Sequence, residues 1–306
     1  MLSRRRFRKL DGILLLDKGL GASSNKVLQD ARFLFLAEKA GHTGSLDPLA
    51  SGMLPVCFGE ATKVSAFLLD SDKRYITTAT LGYVSTTGDA EGEKFNPRPI
   101  PAFSDADLEA VLTQFRGNIS QIPPMYSALK KDGQPLYKLA RQGIEVERAA
   151  RDLTIHSLTV LARTNNTLTL DVVCSKGTYI RTLVEDIGEQ LGCGAYVSML
   201  RRESVEPFGA FRMYTLDELR ALAEQGLEAL DAVLLPLDSA LPHLPSITVE
   251  EAIIIRLRQG QKVRTDHDDA ELLRIYSEFG EFIGLCESLR GVLIPRRLLA
   301  YTSTHL

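Results

Sequence analysis

The run GHTGSLDPLASGMLPVCFGEATK at 41–63 constrains this chain more than any other stretch of it. One carboxylate, Asp47, stands among Gly41, Gly44, Pro48, Gly52 and Pro55, and the run holds no other acid before Glu60. Small and φ-permissive residues let backbone or a ligand approach closely. Pro48 disfavours helical geometry at Asp47 and holds it extended. The pattern predicts a rigid, exposed loop over 41–59 that presents a single acid. An ordinary surface turn has the same composition. The paired carboxylates of ordinary glycoside hydrolysis are missing locally.

With 306 residues the chain has enough length for a full core and about two domains, one large and one small. A net charge of −3 and a pI near 6.0 do not mark a nucleic-acid binder. Charge is uneven, however. Basic knots occur at Arg4-Arg5-Arg6-Phe7-Arg8-Lys9, at Lys130-Lys131, at Arg141, Arg148 and Arg151, at Arg201-Arg202, and at Arg256, Arg258, Lys262 and Arg264. Acid gathers elsewhere, as in Asp217, Glu218, Glu224, Glu228 and Asp231. An acidic back and a basic face would suit a polyanion, although any single knot reads more readily as solvated surface. Four scattered cysteines, at 57, 174, 193 and 286, suggest neither a zinc site nor a disulfide framework. The expectation is reduced thiols in a soluble cytoplasmic protein, because the apolar run Ile13–Leu16 is too short for a signal peptide and no segment would span a bilayer.

Gly12 to Lys18 reads as a buried strand, and Ser23 and Ser24 as caps of a helix with apolar positions 27, 28, 31, 34 and 35. Helix is expected over 60–69, strand over 74–83 and loop over 84–103. Ser104 with Asp107 starts another helix. Residues 116–150 form an excursion with a short helix near 136–142, and strands follow at 153–162 and 167–174. A helix over 182–191 stops at Gly192, a strand lies near 204–213, and Thr215 with Glu218 caps a helix to 225. Pro236, Pro242 and Pro245 mark a linker. Thr248 with Glu251 caps one more helix, closed by Gly260, before short strands at 271–276, 281–287 and 291–294. Without regular βα alternation the large unit is α+β, here 1–245, followed by a small β-rich module, 246–306.

A second dense segment is Cys174-Ser175-Lys176-Gly177-Thr178-Tyr179-Ile180-Arg181-Thr182-Leu183. On a strand, Tyr179 and Arg181 would share a face, where a phenol and a guanidinium can meet a flat, anionic ligand. Tyr75 follows Arg74 at a strand start, as a core residue or a stacking platform, and Leu200 alone reads as core. With the segments 41–63, LLDSDKRYITTATLG (68–82), IPPMYSALKKDGQPLYKLARQGIEVERAAR (122–151) and CSKGTYIRTLVEDIGEQLGCGAYVSMLRR (174–202), the chain resembles the TruB family of pseudouridine synthases over almost its whole length. The opening departs from the family pattern. Gly19 follows Asp17-Lys18 where the family has Pro, which leaves the placement of Lys18 less fixed.

The resemblance implies a cofactor-free and metal-free isomerase that converts a uridine of the tRNA T-arm loop, conventionally position 55, to pseudouridine. Its fold would be a mixed, mostly antiparallel sheet with flanking helices and a PUA-like RNA-binding tail. Asp47 matches the essential carboxylate, Arg181 its bidentate partner, and Tyr75 the ring stacked on the extracted base. Tyr179 and Leu200 match pocket positions, and His42 a residue that enters the vacated loop space. Lys18 and Lys63 would serve phosphate contacts or loop support. The 122–151 excursion matches a mobile segment that closes over RNA. The target must be flipped out first, which costs a few kcal/mol that an aromatic, apolar pocket can offset. The partner would be tRNA alone, met by a monomer without a membrane or an obligate protein. Three alternatives stand beside this reading: an RNA-folding protein with a vestigial site, a guide-dependent pseudouridylase, and a carboxylate hydrolase.

Overall fold

The computed structural model describes residues 6–300; Arg4 and Arg5 of the basic start, and 301–306 of the tail, lie outside the described residues. Strand β1 (Gly12–Lys18) is buried on both faces, with Ile13 and Leu15 in one core and Leu14 and Leu16 in another. That explains a continuous apolar run in place of alternation. Helix α1 (Ser24–Leu34) begins where the Ser23 hydroxyl accepts the Lys26 N–H at 3.2 Å.

The expected loop over 41–59 is a loop only in its first half. The chain makes a short β2 (Ala40–His42), turns through Asp47 and then runs straight as β3 (Ala50–Phe58). Proline inside a central strand normally argues against one, because it cannot donate to the ladder. Pro55 escapes that cost by position. On one side β3 pairs with β1 from Gly52 to Phe58; on the other its partner changes from a strand met at Ala50–Gly52 to β2 met at Val56–Phe58, and Pro55 falls at the changeover.

The helix expected over 60–69 is split into a 3-10 turn, Gly59–Lys63, and α2 (Ser65–Asp70). Strand β4 (Lys73–Leu81) follows, then a minor hairpin, β5 (Val84–Ser85) with β6 (Lys94–Phe95). Helix α3 (Asp105–Thr113) starts on the Ser104–Asp107 capping box. Strand β7 (Gly117–Gln121) leads into the excursion, which carries only β8 (Lys130–Lys131), β9 (Gln134–Pro135) and α4 (Leu136–Ala140). Strands β10 (Arg151–Arg163) and β11 (Thr167–Cys174) bring the chain to α5 (Ile180–Gln190). The segment holding Tyr179 and Arg181 is therefore a helix start and not a strand. The next strand is β12 (Ala195–Val205), not 204–213, and its two register shifts blur the alternation that would have marked it. Then come β13 (Tyr214–Thr215), α6 (Leu216–Gln225) on its expected capping box, and α7 (Leu227–Asp231).

The proline-rich stretch is not a free linker, since Ala240 and Leu241 are buried in the core. Beyond it lie β14 (Ser246–Val249), α8 (Glu251–Arg258), β15 (Val263–Arg264), β16 (Ala270–Ser277), β17 (Phe282–Leu289) and β18 (Val292–Leu298). Thr248 belongs to β14, so the expected Thr248 cap of α8 does not form; Glu250 occupies that position without a side-chain bond.

The main sheet runs β13-β1-β3-β12-β4-β11-β10-β7, with β2 attached to β3. Only β1–β13 and β3–β12 are parallel, which makes it a mixed, mostly antiparallel sheet as expected. Helices α1 and α6 cover one face of the β1–β3 half, while α5 and α3 cover β4, β11 and β12. The tail forms a separate five-stranded sheet, β14-β16-β17-β18-β15, with its own apolar cluster around α8. Among the described residues no helix is long and apolar enough to cross a membrane.

Candidate active site

The loop bearing Asp47 is fixed from beneath by side chains. Ser24, buried at the start of α1, accepts the Leu46 N–H at 2.7 Å and donates to the Leu46 carbonyl at 2.9 Å. The Lys18 ammonium donates to the Ala50 carbonyl at 2.6 Å, to that of Gly19 at 3.0 Å and to that of Pro48 at 3.4 Å. Lys18 is only 1 % exposed, so of its two expected roles the geometry fits loop support. Gly19 in place of proline leaves that support in position.

The far end of Asp47 faces a cavity. Its side chain is 43 % exposed at this space of about 310 Å³, which Tyr75, Tyr179, Arg181, Leu200 and Arg202 also line. That size lies within the usual range of small-ligand pockets, about 300–1,000 Å³. Arg181, at the first turn of α5, approaches Asp47 through one contact, Nη2 to Oδ2 at 3.0 Å. The expected bidentate fork is absent, and both terminal nitrogens also serve backbone carbonyls. Nη1 donates to the Thr87 carbonyl at 2.8 Å and Nη2 also to that of Tyr126 at 2.7 Å, while Asp89 stands 3.8 Å from Nη1. Burial raises the Asp47 pKa above the usual carboxylate range, and the Arg181 charge opposes that rise.

Sheet register supplies the remaining wall. On β12, Leu200 lies opposite Ala50 of β3, and Arg202 lies opposite Gly52 of β3 and Tyr75 of β4. Tyr75, Leu200 and Arg202 thus share one face of the sheet. Tyr75 is 8 % exposed, with its pKa raised by burial. Tyr179 is held through its backbone by Gln121, whose side-chain oxygen accepts the Tyr179 N–H at 3.1 Å and whose amide donates to the Tyr179 carbonyl at 3.3 Å.

Two expected site residues stand apart. His42 ends β2 and does not line the cavity; its Nδ1 is buried without a partner, and burial lowers its pKa. Lys63 lies at the seam with the tail module, where its ammonium donates to Glu60 at 2.6 Å and to the Leu298 carbonyl at 2.9 Å. Nor are Arg201 and Arg202 a solvated basic knot. Arg201 forks onto Asp17 at 3.0 and 2.9 Å, and Arg202 is 1 % exposed. Residues the sequence reading did not assign to the site are Arg202, Lys73, Gln121 and Asp89. With the strand placed at 195–205, Arg202 sits two residues from Leu200, and that spacing is the signal that would have found it.

Comparison with known proteins agrees with this architecture. The family described as TruB family pseudouridylate synthase (N terminal domain) matches residues 32–180. The tRNA pseudouridylate synthase B C-terminal domain matches 181–242, and the family Pseudouridine synthase II TruB, C-terminal, matches 245–299. A tRNA pseudouridine synthase B of Pseudomonas fluorescens is 57% identical, over 95% of this chain and 96% of its own. One of Ectopseudomonas mendocina is 56% identical over the same shares. A chain of an H/ACA RNP bound to a substrate RNA containing 2'-deoxyuridine shares the fold, with a TM-score of 0.71 at 22% identity, over 95% of this chain and 85% of that one. With family matches along most of its length and relatives at this identity, the chain belongs to the TruB family of pseudouridine synthases.

Proposed function

We propose that this protein isomerises uridine 55 in the T-arm loop of tRNA, with Asp47 as the essential carboxylate. The N1–C1′ bond breaks, the uracil turns and C5 joins C1′. C5 loses a proton and N1 gains one, so the reaction needs neither a redox partner nor water. The observation that carries the reading is the placement of Asp47. Among the residues lining the cavity it is the one carboxylate, and it faces Tyr75, Tyr179 and Leu200 with Arg181 at 3.0 Å. Its oxygen supplies negative charge at the sugar while the aromatic wall receives a flipped base. RNA that covers the cavity strips more water from Asp47, and Arg181 then keeps it ionised. The tail module from about 246 serves as a PUA-like RNA-binding unit, the 122–151 excursion closes over the bound arm, and no guide RNA or obligate protein partner takes part.

The test is tritium release from T-arm RNA labelled at uracil C5, since that carbon must give up its hydrogen. Wild type should release tritium from position 55 and no other. Asp47→Asn keeps shape and removes charge, so release should fall to background while RNA affinity stays within about three-fold. Equal loss of affinity would make Asp47 a folding or docking residue, and wild-type release at background would end the proposal.

A further inference from the structure

Arg202 is a guanidinium almost sealed from solvent beside the reacting groups, and nothing described so far uses it. Its Nε donates to the Met53 carbonyl on β3 at 2.7 Å. Its Nη2 donates to the Gly44 carbonyl at 3.0 Å, three residues before Asp47 in the same loop. Across the sheet it faces Tyr75 directly. Its approach is built in, because a side chain at Gly52 would bring Cβ within 2.2 Å of the Arg202 carbonyl. One rigid fork thus ties β3 to the Asp47 loop and stands in register with Tyr75, with which it lines the cavity.

Hydrogen-bond chemistry gives that placement a direction. A guanidinium has donors and no acceptor, so any bond between Arg202 and the Tyr75 oxygen, paired across the strands on one face, has the phenol accepting. A phenol that accepts on its sheet side has its own proton left to give on its cavity side. We propose that Arg202 is a positioning residue: it turns the Tyr75 O–H into the cavity, where a uracil carbonyl accepts it, and through Gly44 it holds that phenol in register with Asp47. This rests on the proposed isomerase reading. The Arg202 charge also works against the rise in Tyr75 pKa that burial produces.

Two measurements test it. The first is a double-mutant cycle of Arg202→Lys with Tyr75→Phe, read as single-turnover tritium release from T-arm RNA at saturating enzyme. Arg202→Lys should slow the wild-type background about tenfold beyond its effect in the Tyr75→Phe background, a coupling that a purely structural arginine would not produce. Equal losses in both backgrounds would overturn the proposal. The second needs no turnover. In protein labelled with 13C at tyrosine Cζ, the Tyr75 resonance is assigned by its loss in Tyr75→Phe. It should move in Arg202→Lys under conditions where the methyl spectrum stays native, and a resonance that stays put would overturn the proposal. Should wild type release no tritium while that resonance moves, the isomerase reading fails and the positioning role survives.

Discussion

Single residues show how this site sets charge. Glu185, on α5 one turn beyond Arg181, is lifted from 4.5 to about 7, chiefly by burial, with Arg181 pulling the other way and Asp186 and Asp89 adding to the rise. Linkage fixes the sign. Below about pH 4.5 the carboxyl is protonated in both states and contributes nothing. Between about pH 4.5 and 7 the unfolded chain ionises while the folded one resists, so stability is lost progressively, by about 3 kcal/mol in all, and the loss is complete above about pH 7. Glu185→Gln resembles the protonated form and should escape that loss. Thermal melts should therefore show little difference from wild type at pH 5 and a clear gain for the variant at pH 8; a gain that does not grow with pH would refute the assignment. At this scale the sequence marked residues that the fold brings to one cavity, Asp47, Tyr75 and Arg181, because each stands in a dense motif. It was unreadable where a role depends on which neighbour has lost its water. Lys18 looks like a surface cation and is a buried strut, and Glu185 looks like an ordinary helix acid.

At the scale of elements, the site is made where β3 and β12 run parallel for three residue pairs, Leu200 with Ala50, Arg201 with Ser51 and Arg202 with Gly52. Local signals showed the elements that carry their own punctuation. Ser104 with Asp107 and Thr215 with Glu218 cap their helices as their spacing requires, and the period-two pattern of 167–174 is a strand. They missed β3, whose glycine and proline resemble a turn, and β12, whose bulges break alternation. They also made a strand of the Tyr179–Arg181 segment, because three residues are too few to separate a period of 2 from one of 3.6. Gly52 explains part of the difficulty. Its φ of +101° and its contact with the Arg202 backbone make glycine obligatory in a strand that then approaches β12. Gly52→Ala should cost about 3 kcal/mol or more, or prevent folding, because backbone on both sides has nowhere to move. Urea unfolding of the variant reads this directly, and a midpoint equal to wild type would show that β3 and β12 can separate without loss.

Across the whole molecule, the tail module is attached to the catalytic body by more than the chain connecting them. Ala300 donates its N–H to Glu60 at 2.6 Å, and Arg297 donates to the Lys63 carbonyl at 2.6 Å. The larger tie is apolar. Strand β17 is buried without interruption over Ile283–Cys286. Ile283 and Cys286 face the module's own core around α8, whereas Leu285 enters the body's core with Ile13, Val64 and Leu68. A register shift between Leu285 and Cys286 permits that split. The proline-rich stretch before the module was a fair sign of a linker, but composition cannot reveal that β17 carries a second apolar face or what that face covers. Leu285 is 1 % exposed, so Leu285→Ala removes its buried surface and leaves a void, a change that costs about 2–5 kcal/mol. Because the side chain belongs to both units, that cost should fall on one shared transition. Calorimetry should show wild type and variant each unfolding in a single peak, with the variant's displaced to lower temperature as a whole. Two resolved peaks in wild type, or a variant in which only a small early peak moves, would mean that the module folds and unfolds independently of the body that carries Asp47.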